Sequence, residues 1–258
     1  MTSHTYKKTP QADLSLNVYA PDEPADTPRP AVVFFHGGGW NHGTPEQFAP
    51  YCQHLAKLGV VGISVQYRLK DDHGTTPFEA IRDAVSAMRW VYQHVEALNL
   101  DPQRVAAGGG SAGGHLAALT ATLQNPDLED PADNQDTDYR PAALILFNPV
   151  YDNGPRGYGQ DRLGDRWQDA SPRHNLHADM PPTLVMLGDQ DHLIPVATAQ
   201  AFRDQMQSLG VHSDLIVYPG QSHGFYLPDR SEAAHQQTLR DIDRFLRRLG
   251  WIDPAAAD

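Results

Sequence analysis

Val105-Ala-Ala-Gly-Gly-Gly-Ser111-Ala-Gly-Gly-His-Leu116 runs from a short apolar stretch into G-x-S-x-G and then directly into an Ala/Leu-rich segment. That order predicts a strand, a tight turn with Ser111 at its apex, and a helix. Gly109 and Gly113 flank the serine where a Cβ would collide with the neighbouring strand or helix. The turn can therefore hold Ser111 in a strained conformation and push its hydroxyl out of the sheet. In a chain with 21 glycines a lone G-x-S-x-G is a modest signal, so its neighbours decide.

Upstream, Ala31-Val-Val-Phe-Phe-His36 is a continuous apolar run suited to a strand buried on both faces, and it leads into Gly37-Gly38-Gly39-Trp40. Consecutive glycines let backbone N–H groups approach a developing oxyanion without interference from side chains. Gly38 and Gly39 are the expected donors, with the Ala112 amide as a third. Downstream, Thr183-Leu-Val-Met-Leu-Gly188 carries Asp189 and Asp191 to the end of a buried strand. Ser213-Asp-Leu-Ile-Val-Tyr218 does the same for His223. Both aspartates compete for the role of partner to His223, and the chain order is Ser, Asp, His.

Four ordered motifs, His36-Gly-Gly-Gly-Trp40, Gly109-Gly-Ser-Ala-Gly-Gly114, Gly188-Asp-Gln-Asp191 and His223-Gly-Phe225, resemble those of α/β-hydrolase-fold carboxylesterases. The likeness is greatest to the hormone-sensitive-lipase-like and carbohydrate acetyl esterase branch, and it runs from about Leu14 to about Leu249. The resemblance implies an α/β-hydrolase fold, a mostly parallel central sheet with helices on both faces. It also implies a catalytic set of Ser111, His223 and Asp191, with Asp191 rather than Asp189 as the acid. No cofactor and no metal are called for. Relatives with a helical cap carry a longer segment before the oxyanion loop. Here the residues before His36 read as extended pieces (Tyr6-Lys-Lys, Leu14 to Tyr19), so no N-terminal cap is expected.

Between the motifs, strand and helix patterns alternate. Pro45 to Leu58 reads as an amphipathic helix capped by Thr44, Val60 to Tyr67 as a strand, Pro77 to Leu98 as a long helix, and Ala143 to Phe147 as a strand. This βα rhythm demands a doubly covered sheet whose ligands bind at the carboxyl ends of the strands. Asn125 to Arg140 is acidic and rich in Pro and Asn, and reads as a solvated loop. The stretch 149–182 holds Tyr151, Tyr158 and Trp167 and follows a strand's carboxyl end. It is expected as an active-site insertion in a single domain spanning 1–258, walling a shallow pocket. Trp40, Tyr158 and Trp167 are the expected substrate contacts, the Trp40 ring lying beside the scissile ester. His174 and His177 are three apart with no third ligand nearby, so a metal reading fails. His36 is read as a brace for the glycine loop, His115 as packing, and Arg68 with Asp83 as a structural ion pair.

A net charge of −12 argues against nucleic acid and anionic membranes as partners. No apolar stretch approaches the roughly 20 residues that span a bilayer, and Met1 to Lys8 lacks a signal-peptide core. The chain as given reads as cytoplasmic or as a mature form with its leader removed. The lone Cys52 excludes an internal disulfide. The expected partner is a small-molecule or carbohydrate ester with a short acyl group, acetyl first, acetylated xylan being one such substrate. A homodimer is compatible with all of this. Feruloyl or aryl esterase and arylformamidase activities are the alternatives, and a non-enzymatic binding module is a more distant one.

Overall fold

The computed structural model of the protein describes residues 1–253. Eight strands form one sheet: β1 Thr2–Lys8, β2 Asp13–Tyr19, β3 Arg29–Phe35, β4 Val61–Val65, β5 Leu100–Gly110, β6 Ala143–Phe147, β7 Thr183–Gly188 and β8 Ser213–Tyr218. Their spatial order is β1-β2-β4-β3-β5-β6-β7-β8. The β1–β2 and β2–β4 pairs are antiparallel and every other pair is parallel. The segment ahead of His36 is thus built of strands, as its extended pattern predicts.

The central strands are buried on both faces, which explains their unbroken apolar runs. Successive residues point to opposite faces and build two cores. Val33, Phe35 and Ala107 pack with Ile81, Leu116 and Phe202 on one side, while Val32, Phe34 and Ile145 pack with Tyr51, Leu239 and Phe245 on the other. Helices α3 Pro77–Gln93, α4 Ala112–Thr122 and α6 Val196–Ser208 therefore cover the first face. Helices α1 Ala49–Lys57 and α7 Glu232–Arg248 cover the second. Two single-turn helices, α2 Lys70–His73 and α5 Gln160–Leu163, lie in connections.

Three local expectations change. The stretch after Thr44 opens as a 3-10 turn, Pro45–Phe48, before α1 begins, and Thr44 does not cap it. Its hydroxyl bonds the Glu46 carboxylate instead. Helix α3 ends at Gln93 rather than Leu98; its start is fixed by a capping box between Thr76 and Glu79. The 125–140 segment is fastened rather than merely solvated. Arg89 bonds Glu129, Gln135 and the Thr137 carbonyl, Ser86 donates to Asp133, and Leu128 and Tyr139 are buried. Its acidic residues face cations on α3 and β1, which is why an acidic segment folds down here.

The same face holds a fully buried carboxylate. Asp83 accepts from Arg68 Nε at 2.8 Å and Nη2 at 2.7 Å, and from the Arg68 amide at 3.0 Å; Lys7 Nζ lies 2.9 Å away. Removing one partner of such a pair leaves uncompensated buried charge. Asp83→Asn should therefore cost about 3 kcal/mol of stability, read as a lowered urea midpoint at unchanged slope. A loss below about 0.5 kcal/mol would show the pair to be as weak as a surface ion pair.

Candidate active site

The turn after β5 is strained in the way its glycines require. Ser111 has φ 54° and ψ −117°, and α4 starts at the next residue. A Cβ on Gly113 would sit 1.9 Å from the Phe35 carbonyl oxygen, and one on Gly109 would sit 2.5 Å from the same atom. Only glycine lets α4 meet the end of β3 this closely. The Ser111 amide donates to the Phe147 carbonyl, and the Ser111 carbonyl accepts from the Val150 amide. The elbow is thus pinned to the exit of β6.

The Ser111 hydroxyl lies 2.9 Å from His223 Nε2, and His223 Nδ1 lies 2.7 Å from Asp191 Oδ2. An ionised carboxylate only accepts, so Nδ1 carries the imidazole hydrogen and Nε2 is the acceptor for the serine hydroxyl. The other Asp191 oxygen accepts from the amides of Leu193 and Ile194, and its side chain is fully buried. Asp189, the competitor, is exposed and accepts from the Gly220 amide. Asp191 is therefore the carboxylate that the fold brings to His223.

The glycine loop runs beside the elbow. Gly38 and Gly39 have φ of 122° and 63°, and among the described residues no acceptor takes their amide hydrogens. The Ala112 amide opens α4, where first-turn amides have no intrahelical partner. The loop is held from several sides. Gln47 Oε1 accepts from the Gly37 amide at 2.7 Å and lies 3.0 Å from the Tyr226 hydroxyl, which donates to it. His36 Nδ1 donates to the Gly37 carbonyl at 2.8 Å, and its ring stacks on Tyr67. Arg162 donates to the Gly39 carbonyl at 2.7 Å. A cleft of about 440 Å³ opens over these groups, lined among others by Gly38, Gly39, Ser111, Tyr158, Leu193 and His223.

Two expected substrate contacts fall elsewhere. Trp40 is 1% exposed and does not line the cleft. Its backbone is left-handed, at φ 60°, and the chain turns back so that the Asn41 and His42 amides bond the Gly38 carbonyl. The indole consequently points into the protein and meets His115 edge-on at 5.0 Å. Trp167 is also outside the cleft; it packs against His174 and on the core beneath. Tyr158 alone of the three lines the cleft. His174 Nδ1 is bonded to Ser171 and His177 Nε2 to the Ala121 carbonyl.

Four residues that pattern reading passed over complete the site. Asn148, buried at φ 32° just after β6, accepts from the Gly224 amide and places its amide nitrogen 3.4 Å from His223 Nε2. Its Asn-Pro dipeptide marks a turn, the one local clue available. Arg162 and Tyr226 act on the glycine loop from distant parts of the chain and Gln47 from the 3-10 turn that follows it, and none of them leaves a motif.

The arrangement sets a serine hydroxyl, an imidazole acceptor and a buried carboxylate in line beside backbone amide donors, a geometry that can serve acyl transfer. Two family models match the chain: BD-FAE over residues 16–152 and the Dienelactone hydrolase family over residues 158–250. The chain is 32% identical to the probable carboxylic ester hydrolase LipM of Mycobacterium tuberculosis, covering 85% of this chain and 54% of LipM. The chain spans about half the length of the curated relatives it matches. Among solved structures, it superposes on Thermogutta terrifontis esterase 2 phosphonylated by cyclosarin with a TM-score of 0.93 at 37% identity, over 98% of this chain and 96% of that one. The propionate-bound form of that esterase gives 0.92 at 38%, with the same coverage of both chains.

Burial pushes His36 and His115 down from 6.5 to about 4, so both rings stay neutral in the folded protein near neutrality. Above pH 6.5 neither state protonates these rings appreciably. Between 6.5 and 4 the unfolded chain takes up protons that the folded one refuses, so stability falls as pH falls, by on the order of 3 kcal/mol per ring. Urea midpoints measured from pH 7.5 to pH 4.5 should drop accordingly, and His115→Gln should flatten the dependence. An unchanged slope in that variant would place the acid sensitivity elsewhere.

Proposed function

The chain belongs to the BD-FAE family, and on that footing we propose that it is a serine carboxylesterase acting on short acyl esters, acetyl first, of hydroxyl-rich alcohols such as carbohydrates. The observation that carries this reading is the continuous chain Asp191–His223–Ser111 ending in a cleft beside the Gly38 and Gly39 amides, which no acceptor among the described residues takes.

Ser111 Oγ attacks the ester carbonyl carbon as its proton passes to His223 Nε2. Asp191 keeps the imidazole in the tautomer that accepts this proton and stabilises the imidazolium that forms. The Gly38, Gly39 and Ala112 amides receive the oxyanion. Collapse expels the alcohol, which takes the proton from His223. Water, deprotonated by the same imidazole, then attacks the acyl-enzyme and releases the acid and free Ser111. Asn148 steadies the backbone after His223 and acts as a positioning residue.

Support for a short acyl group comes from the cleft. Its volume of about 440 Å³ is shared between the acyl and alcohol parts, and its apolar lining is small, with Leu193, Leu227 and the rings of Tyr158 and Tyr226. A pocket that ends early cannot bury further methylenes, each of which would otherwise gain about 0.8 kcal/mol. Propionate and butyrate are the acids named in two bound forms of the similar Thermogutta terrifontis esterase 2. Polar lining by Asn41, His42 and Gln47 suits an alcohol with several hydroxyls.

With p-nitrophenyl esters, kcat/KM should be greatest for acetyl, persist for butyryl and fall sharply by octanoyl; octanoyl as the best substrate would sink the short-acyl reading. Ser111→Ala should lower kcat by roughly four to six orders of magnitude and abolish labelling by a fluorophosphonate, with folding intact. Asp191→Asn should be crippling and Asp189→Asn mild. The reverse ranking would mean that the carboxylate seen at His223 is not the one used.

A further inference from the structure

The cleft over Ser111 is lined by two arginines and, among the described residues, by no carboxylate. This is unexpected in a chain with 32 Asp and Glu against 20 Lys and Arg. Many of the other arginines sit against acids, Arg68 on Asp83, Arg89 on Glu129 and Arg173 on Asp152 among them, while Arg29 and Arg240 use their donors on backbone carbonyls and on Gln237. Arg162 and Arg230 have no carboxylate within 4.0 Å among the described residues. Arg162 is half-buried. One of its nitrogens is used on the Gly39 carbonyl, and its guanidinium lies 5.8 Å from the Trp40 ring and 5.4 Å from the Tyr158 ring, which fixes it in place. A guanidinium has five N–H donors, so most of its capacity remains open. Arg230 stands exposed on the loop that follows His223; its backbone amide donates to the Leu227 carbonyl, and among the described residues its guanidinium has no hydrogen-bond partner.

We infer that the cleft selects esters that carry a carboxylate away from the scissile bond, held by Arg162 and Arg230. This rests on the esterase reading above and adds the charge class of its substrate. Guanidinium groups recognise carboxylates through paired N–H donors, and a cleft with low-dielectric walls concentrates the field of unpaired cations. The net charge of −12 makes the protein as a whole unattractive to anions, so two arginines with no carboxylate beside them are a local departure from its average field. The carboxylate can belong to the alcohol part or to the acyl part, and the two cases are separable.

The test uses two substrate pairs, each an acid and its uncharged amide: 4-acetoxybenzoate with 4-acetoxybenzamide for the alcohol side, and methyl hydrogen succinate with methyl succinamate for the acyl side. In one pair kcat/KM should favour the carboxylate roughly tenfold, the scale of one charge-assisted hydrogen-bonded contact. That pair names the side on which the anion sits. Arg230→Gln should erase most of the preference, the ratio of acid to amide kcat/KM falling toward one, and about 0.5 M NaCl should shrink it in the native protein. If the amide esters are hydrolysed but neither pair favours the acid, or if the preference survives Arg230→Gln, the arginines are solvated surface groups and the inference is overturned while the esterase reading stands. No turnover of any ester, together with no fluorophosphonate adduct at Ser111, would instead remove the esterase reading and this inference with it.

Discussion

The close approach of α4 to the end of β3 is the constraint from which the site is built. A side chain at Gly113 would overlap the Phe35 carbonyl oxygen, so the helix comes nearer to the strand than any other residue would permit. That contact sets the loop leaving β3 beside the turn leaving β5. One loop brings the Gly38 and Gly39 amides and the other brings the Ser111 hydroxyl and the Ala112 amide. The positive φ at Ser111 is the local cost of the arrangement, of the order of 1–3 kcal/mol, and the ladder bonds to β6 hold it there.

The remaining parts are oriented by groups whose own polar needs are met. Asp191 is fully buried as a side chain, yet two backbone amides and the imidazole share its charge, so it has one orientation available. The glycine loop has little to stiffen it from within. It is steadied by Gln47, Tyr226, His36 and Arg162, four side chains drawn from different stretches of the chain. Preorganised donors of this kind stabilise charge without having to reorient as it develops.

The doubly covered sheet, the place of Ser111 and the pairing of Asp191 with His223 were legible because each is encoded locally: an apolar run, a glycine at a fixed offset, a strand followed by a short turn. Trp40 was misjudged because adjacency to the glycines says where the backbone is and nothing about which way a left-handed residue turns its side chain. Trp167 was misjudged because an aromatic in an insertion serves equally as core. The acidic 125–140 segment looked like solvated loop because its cations lie on β1 and α3, far away in sequence. Arg162 and Tyr226 were invisible for the same reason, and Gln47, though only ten residues from Gly37, makes a contact that has no periodicity to betray it. Asn148 could have been weighed from its Asn-Pro turn.

The insertion between β6 and β7 is anchored at both ends by the sheet itself: Val150 donates to the Ser111 carbonyl at one end, and the Pro182 carbonyl accepts from Leu144 at the other. Its interior reaches the cleft through Tyr158 and Arg162. The insertion therefore does two things at once: Tyr158 faces the cleft, while Arg162 on the same stretch holds the Gly39 carbonyl and Tyr151, Leu163 and Ala170 belong to the core. A change in this stretch that reshapes the substrate face is thus transmitted, through Arg162, to the loop that carries the Gly38 and Gly39 amides, so selectivity and rate are mechanically coupled in this fold.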